Sequence, residues 1–231
     1  MKLCKYHALG NDYLVIDPAF VTKPLTNKDI KIICDRHYGV GSDGILYGPH
    51  ISDSGEFSLI IYNPDGSEAE KSGNGLRIFS RYLWDMGLVK NVPFFIATKG
   101  GEVKASVAKD GLSVSVEMGK VRFTHGLEDI IEPQAKTIIC DGKSYTYYLA
   151  NVGNPHCVII LDDIDKELTK KIGPIIENDA RFANRTNVQF LKILNSSAIQ
   201  IEIWERGAGY TLASGSSSTA AAAVVHALGF C

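Results

Sequence analysis

The chain has 231 residues, 45% of them hydrophobic, enough for one large domain or two smaller domains with apolar cores. Its 24 basic and 26 acidic residues give a formal net charge of -2 without a lysine or arginine block, so nucleic acid is not an expected partner. The five scattered cysteines lack metal-ligand spacing, and no segment resembles a signal peptide or a membrane span. We therefore expect a soluble cytoplasmic protein with free thiols, no metal and no membrane partner.

The first half predicts strands around one long helix. A short helix over 26–36 is expected after a Thr26 cap, with strand-like segments on either side at LGNDYLVID and GVGSDGILY. The strand FSLIIYN ends at Asn63, and a helix over 73–86 follows. The apolar positions of that helix are Leu76, Ile78, Phe79, Tyr82, Leu83 and Met86. They cover most of its circumference, so a sheet should wrap it. The strands FFIAT, EVKASVA and LSVSVEM complete this half.

The second half predicts a similar series. VGNPHCVIILDD and NRTNVQFL are strand-like, a helix is expected near 163–172, and the strand IQIEIWE ends at Glu205. A helix over 215–228 follows. It consists almost entirely of alanine, valine and leucine, so we expect it to be buried.

The two halves repeat one another. Three pairs of landmark residues recur at an offset of 142 or 143: Asn11 with Asn154, Asn63 with Glu205, and Ser72 with Ser214. Asp43 and Asn187 repeat more weakly at an offset of 144. The repeat predicts an α/β (α+β) fold of two pseudo-symmetric domains, 1–118 and 119–231, each a mostly antiparallel sheet wrapped around a long central helix. The second domain should lack the closing strands of the first.

Both long helices begin with a serine and a glycine, in SGNG at 72–75 and SGSS at 214–217. A helix N-terminus offers unpaired N–H groups and partial positive charge to an anion such as a carboxylate. If a pseudo-two-fold axis relates the halves, Ser72 and Ser214 should approach one carbon atom from opposite faces. That arrangement suits cofactor-independent inversion of an amino-acid α-carbon, which needs one proton donor and one acceptor. The alternative is that each serine is only a helix cap.

The chain resembles the diaminopimelate epimerase family along essentially its whole length. The motifs that carry the resemblance are LGNDYLVID, RHYGVGSDG, IYNPDGSEAEKSGNGLR, NVGNPHCV, NRTNVQF and WERGAGYTLASGSSS. The resemblance implies two domains of like topology around a closed cleft, no cofactor, a small-molecule amino-acid substrate, and a role in lysine biosynthesis. Whether the chain forms a homodimer is left open by the sequence.

The resemblance also implies site residues. The distal amino-carboxylate end of the substrate would be held by Asn11, Asn63, Asn154, Asn187 and Arg206. The reacting carboxylate would receive backbone N–H groups from Gly73, Asn74, Gly215 and Ser216. Ser72 and Ser214 would take the acid/base positions, assisted by His156 and Glu205.

Two positions depart from the family pattern. The family's usual acid/base residues are cysteines, whereas Ser72 and Ser214 are weaker acids that need activation by a neighbour. Gly44 stands where the family often has glutamine, which predicts a wider pocket wall there. Three explanations of the serines stay open: lost turnover with binding retained, catalysis assisted by His156 and Glu205, or action on another amino acid. The alternatives to diaminopimelate epimerisation are therefore a racemase of another amino acid and an inactive binding homologue.

Overall fold

The computed structural model describes residues 2–52, 56–125 and 128–231. The chain forms two compact units, Met1–Gly119 (unit 1) and Lys120–Cys231 (unit 2). Within the described residues, each unit has one eight-stranded sheet and one long helix that begins directly after a serine.

The sheet of unit 1 is mostly antiparallel. Its strands are β1 (Leu3–Ala8), β2 (Asn11–Ile16), β3 (Ile45–Ile51), β4 (Phe57–Tyr62), β5 (Glu68–Ala69), β6 (Phe94–Thr98), β7 (Gly101–Val107) and β8 (Val114–Val116). They lie in the order β1-β2-β3-β4-β6-β7-β8, and β5 pairs with β4. The pairs β2–β3 and β4–β6 are parallel. All six residues of β2 are buried, as in a strand covered on both faces, whereas β7 alternates because only one of its faces meets the core.

Two helices cover the two faces of this sheet. Helix α1 (Asn27–Cys34) starts at a capping box of Thr26 and Asp29, as the sequence predicts, and buries Ile30 and Cys34. Helix α2 (Gly73–Asp85) contacts β1, β2, β3, β7 and β8. Its predicted apolar positions are buried except Met86, which is 41% exposed because it follows the last helical turn. The prediction that sheet wraps this helix is otherwise confirmed.

Unit 2 repeats the central part of this arrangement. Its strands are β9 (Arg122–His125), β10 (Glu128–Ile130), β11 (Lys136–Cys140), β12 (Lys143–Asn151), β13 (Pro155–Ile160), β14 (Asn187–Asn195), β15 (Ala198–Glu205) and β16 (Gly209–Thr211). They lie in the order β10-β9-β12-β13-β14-β15-β16, and β11 pairs with β12. The parallel pair β13–β14 followed by the antiparallel pair β14–β15 matches β2–β3 and β3–β4. The internal repeat of the sequence is therefore a repeat of strand topology.

The helices of unit 2 differ from expectation in two respects. Helix α3 (Lys166–Glu177) continues beyond the predicted end at 172 and through Pro174, because its buried face extends to Ile176 and Glu177. Helix α4 (Gly215–Ala227) is only partly buried: Ala222 and Ala227 are exposed. In unit 1 the strands β7 and β8 contact the long helix, whereas in unit 2 the main contacts of α4 are with β12 to β15.

No described helix is both long enough and apolar enough to cross a lipid bilayer.

Candidate active site

Ser72 and Ser214 cap two helices of 13 residues each, α2 and α4. Their backbones are nearly identical, with φ -139 and ψ 117 at Ser72 and φ -144 and ψ 123 at Ser214. Ser72 Oγ accepts the N–H of Gly75 at 3.0 Å, and Ser214 Oγ accepts that of Ser217 at 3.3 Å. Each cap satisfies an N–H of the first turn and leaves the earlier N–H groups at a partially positive helix end, suited to a carboxylate.

An asparagine from the adjacent strand region reaches the second residue of each helix. In unit 1, Asn74 Nδ2 donates to Asn11 Oδ1 at 3.0 Å. In unit 2, Asn154 Nδ2 donates to Ser216 Oγ at 3.5 Å, and the oxygens of Ser216 and Ser214 are 3.4 Å apart. These are the residues that the offset of 142 or 143 pairs, so the two helix N-termini are built alike.

A charged network anchors Asn11. Its Nδ2 donates to Asp43 Oδ2 at 3.0 Å, and Arg36 Nη2 lies 2.6 Å from Asp43 Oδ1 and 2.7 Å from Asp12 Oδ1. Lys5 Nζ adds a contact of 2.9 Å to Asp12 Oδ2. Burial alone would raise the pKa of Asp12, but the hydrogen bonds from Arg36 and Lys5 outweigh it and hold that pKa well below its usual range. Asp43, which the sequence paired only weakly with Asn187, thus fixes Asn11 at the N-terminus of α2.

His156 is fully buried in β13 and positions Asn154. Its Nε2 donates to Asn154 Oδ1 at 2.8 Å, which turns the Asn154 amide nitrogen toward Ser216. Burial, together with the nearby charge of Arg206, lowers the pKa of His156 to about 3, although an interaction with Gln189 partly opposes the shift. A neutral imidazole held on Asn154 is a positioning group in this geometry. Among the described contacts, His156 connects to Ser214 through Asn154 and Ser216.

Asn187 and Arg206 lie together in unit 2. Asn187 Oδ1 accepts the backbone N–H of Arg206 at 3.0 Å, while Asn187 Nδ2 donates to the Pro155 carbonyl at 2.8 Å. Arg206 Nη1 donates to the Asn184 carbonyl at 3.0 Å. These bonds hold the start of the loop that follows β15.

Asn63 and Glu205 occupy the ends of the equivalent strands β4 and β15. Asn63 Nδ2 donates to Ser67 Oγ at 3.0 Å within its own turn. Glu205 Oε2 accepts the hydroxyl of Thr211 at 3.1 Å. In the part of the chain that the structure describes, no hydrogen bond joins Asn63 to Asn11 or Ser72.

The structure therefore assembles most of the predicted residues within their own unit. Unit 1 joins Asn11, Ser72, Gly73 and Asn74, and unit 2 joins Asn154, His156, Ser214, Gly215 and Ser216. Within residues 2–52, 56–125 and 128–231, no three His, Cys, Asp or Glu side chains are grouped as metal ligands.

Comparison with known proteins identifies the family. The diaminopimelate epimerase family profile matches residues 3–124 and 148–230. A relative from Nostoc sp., "Diaminopimelate epimerase 2", is 60% identical over 235 residues, covering 100% of this chain and 82% of the relative. A diaminopimelate epimerase from Synechocystis sp. is 34% identical over 238 residues, covering 99% of this chain and 85% of that protein.

The chain belongs to the diaminopimelate epimerase family. The resemblance drawn from the sequence motifs is thereby confirmed, and so is the classification as an isomerase.

Solved structures agree with the predicted fold class of a diaminopimelate epimerase-like protein. A hydroxyproline epimerase from Agrobacterium vitis superposes with a TM-score of 0.74 at 16% identity, covering 99% of this chain and 77% of that one. A probable proline racemase from Agrobacterium radiobacter gives a TM-score of 0.72 at 16% identity, covering 99% and 78%. At this identity the likeness concerns the fold, which is confirmed.

The ring of Tyr13 fills the space beside Gly44, so the prediction of a wider pocket wall at that position is wrong. A Cβ added to Gly44 would stand 2.7 Å from Cε1 of Tyr13 and 2.6 Å from the Tyr62 carbonyl oxygen. The ring of Tyr13 therefore occupies the volume that a side chain at position 44 would need.

Glu177 is an important residue of this diaminopimelate epimerase-like site that the sequence analysis missed. The carboxylate is buried at the end of α3 and accepts hydrogen bonds from Trp204 Nε1 at 2.7 Å, the Gly207 N–H at 2.9 Å and Arg185 Nη1 at 3.0 Å. It thereby ties the helix to the loop that carries Arg206. The helical spacing from Gly173 to Glu177 could have revealed it, but the predicted helix ended at 172.

Replacing Glu177 by alanine should lower the free energy of unfolding by about 3 kcal/mol, because it removes a buried carboxylate that pairs with the partly exposed Arg185 and leaves the indole N–H of Trp204 without this acceptor. Urea unfolding followed by circular dichroism measures this change. Glu167→Ala on the exposed side of the same helix is the matched control and should change it by less than about 0.5 kcal/mol. A loss below about 1 kcal/mol for Glu177→Ala would contradict the anchoring role.

Proposed function

We propose that this chain interconverts LL- and meso-diaminopimelate by two-base proton transfer at the α-carbon, without a cofactor, with Ser72 and Ser214 in the two acid/base roles. The observation that carries the proposal is the matched geometry of the two serine caps in a member of the diaminopimelate epimerase family. Two acid/base groups are what inversion at a carbon centre requires, because the proton leaves one face and arrives at the other.

The helix N-termini supply the electrostatic part of the proposal. Removal of the α-proton shifts negative charge onto the substrate carboxylate, and fixed N–H donors stabilise that charge as it develops. The backbone N–H groups of Gly73 and Asn74 in unit 1, and of Gly215 and Ser216 in unit 2, precede the capped position of each helix. They are the donors we assign to the reacting carboxylate.

The distal amino-carboxylate end is assigned to the asparagines and to Arg206. Arg206 and Asn187 support this role, since Asn187 Oδ1 accepts the backbone N–H of Arg206 and so holds a cationic residue beside an amide directly after β15. Asn63 holds the equivalent position after β4. Asn11 and Asn154 form hydrogen bonds with the first turns of α2 and α4. We therefore assign them to orient these helix N-termini in addition to contacting the substrate.

We retain two alternative functions because serine stands at both positions where the family usually has cysteine. An aliphatic hydroxyl is a far weaker acid than a thiol, which is a few per cent ionised at neutral pH. A racemase acting on a simpler amino acid would show exchange with that amino acid and none with diaminopimelate. An inactive homologue would bind an amino acid saturably without exchanging its α-proton.

Deuterium incorporation at the α-carbon in deuterated water tests the proposal. The unmodified protein, incubated separately with LL- and meso-diaminopimelate, should incorporate solvent deuterium into both isomers, measured by mass spectrometry. The double variant Ser72→Cys/Ser214→Cys should incorporate it faster, because thiols titrate near 8.5. A panel of other amino acids is run in parallel. Absence of deuterium from both diaminopimelate isomers with both proteins would overturn the proposed function.

A further inference from the structure

Tyr13 places a phenol hydroxyl beside Ser72. Its side chain is 3% exposed within β2, and its hydroxyl oxygen lies 3.2 Å from Ser72 Oγ. A serine hydroxyl has one proton and two lone pairs, and the N–H of Gly75 uses one lone pair of Ser72. Tyr13 therefore engages either the second lone pair or the proton of Ser72, the two groups through which that serine exchanges protons.

Gly44 maintains this contact. Any side chain at position 44 would overlap the Tyr13 ring, whose Cε1 lies 2.7 Å from the site of an added Cβ. The missing side chain at Gly44 therefore makes room for the phenol ring of Tyr13. It delivers a second ionisable hydroxyl to an acid/base position that holds serine instead of cysteine.

We propose, on the basis of the function proposed above, that Tyr13 is the proton-relay partner of Ser72. When Ser72 protonates the α-carbanion, its O–H bond breaks as the C–H bond forms, and the Tyr13 proton moves to Ser72 Oγ. The negative charge that began on the carbanion ends on the phenolate. In the opposite direction Tyr13 begins as the phenolate and takes the Ser72 proton while Ser72 Oγ takes the α-proton. Before the next turnover the phenolate left by the first direction gains one proton from water, and the phenol left by the second gives one proton to water. A phenol is a far stronger acid than an aliphatic hydroxyl, so at this position the charge does not have to rest on a Ser72 alkoxide.

The relay belongs to unit 1 alone. The offset of 143 that pairs Asn11 with Asn154 also pairs Tyr13 with His156. The Nε2 of His156 donates to Asn154, and Ser214 Oγ contacts Ser216 and the N–H of Ser217 instead of a phenol. Because Tyr13 acts through Ser72 and not on the substrate, it is a positioning residue, and its loss should affect the isomer that Ser72 deprotonates more than the other.

The first test compares Tyr13→Phe with Tyr6→Phe by deuterium incorporation into unreacted LL- and meso-diaminopimelate. Tyr6 is the cross-strand partner of Tyr13 but donates to Asp85, so it is a matched control. Tyr13→Phe should lower incorporation into one isomer about 100-fold through kcat, with KM changed less than about three-fold, and the other isomer should change less than about three-fold. Tyr6→Phe should stay within about two-fold for both isomers.

The second test repeats Tyr13→Phe in the Ser72→Cys variant. A thiol does not need the phenol to carry charge, so the substitution should there lower the rate by less than about three-fold. An equal loss in both backgrounds, equal losses for both isomers, or no loss at all in the unmodified background would overturn the relay. If the unmodified protein exchanges neither diaminopimelate isomer, both the proposed function and the relay are overturned. Exchange that is unchanged by Tyr13→Phe would overturn the relay alone.

Discussion

Replacing Ser72 or Ser214 by alanine is expected to lower the rate of diaminopimelate epimerisation by about 10²-fold to 10⁴-fold, the range typical of a lost general acid or base. Each serine hydroxyl lies at the N-cap of its helix, and alanine at that position offers no group that can donate or accept a proton. The double variant should be little slower than either single variant, because inversion requires both groups in one cycle. Circular dichroism detection of product with each isomer as substrate measures the loss.

The serines also cap their helices, and that structural contribution must be separated from the chemical one. Loss of a cap lowers the free energy of unfolding by about 1 kcal/mol, and asparagine caps as well as serine. Ser72→Asn should therefore retain the stability of the unmodified chain and still lose epimerisation. Ser80→Ala is the matched control in α2, because the Ser80 hydroxyl is buried and bonds only the carbonyl of Leu76 in its own helix. Activity retained by Ser72→Asn would show that the serine acts only as a cap.

The fold was predictable because the repeat constrains it. An offset of 142 or 143 residues fixed the equivalence of the two helix starts, and both helices begin at Gly73 and Gly215 as expected. The strand ends near Asn63 and Glu205 also agree with β4 and β15. These features depend on capping residues and on the alternation of apolar and polar side chains, both of which can be recognised in short segments of sequence.

The remaining features depend on tertiary contacts that a single sequence does not record. The composition of α4 predicted full burial, but burial depends on which strands cover each face, and Ala222 and Ala227 are exposed. The contact of Tyr13 with Ser72 spans 59 residues, and Glu177 reaches Gly207 across 30. Residues so far apart can be paired only once the sheet order is known. The sequence singled out His156 as a helper of the acid/base pair, but its bond to Asn154 and its complete burial are visible only in the structure.

The buried His156 should make the stability of unit 2 strongly dependent on pH. The folded chain holds the ring neutral, with its pKa lowered to about 3, whereas an unfolded chain protonates histidine below about pH 6.5. The unfolded state therefore binds one more proton between these values, so the stabilisation present above pH 6.5 is lost as the pH falls. The slope for one group is about 1.4 kcal/mol per pH unit, which gives a loss of about 2.5 kcal/mol between pH 6.5 and 4.5. That is a large part of the stability of an ordinary domain.

Urea unfolding at intervals between pH 7 and 5.5 tests this dependence, because carboxylates such as Asp12 stay ionised across that window in the folded and the unfolded chain. His156→Gln removes the titrating ring, so that variant should be less stable at pH 7 through loss of packing around Asn154 but nearly independent of pH across the window. The control is His226→Gln in α4, where the ring is exposed and its replacement should leave the slope of the unmodified chain. A slope that survives His156→Gln unchanged would assign the pH dependence to other groups.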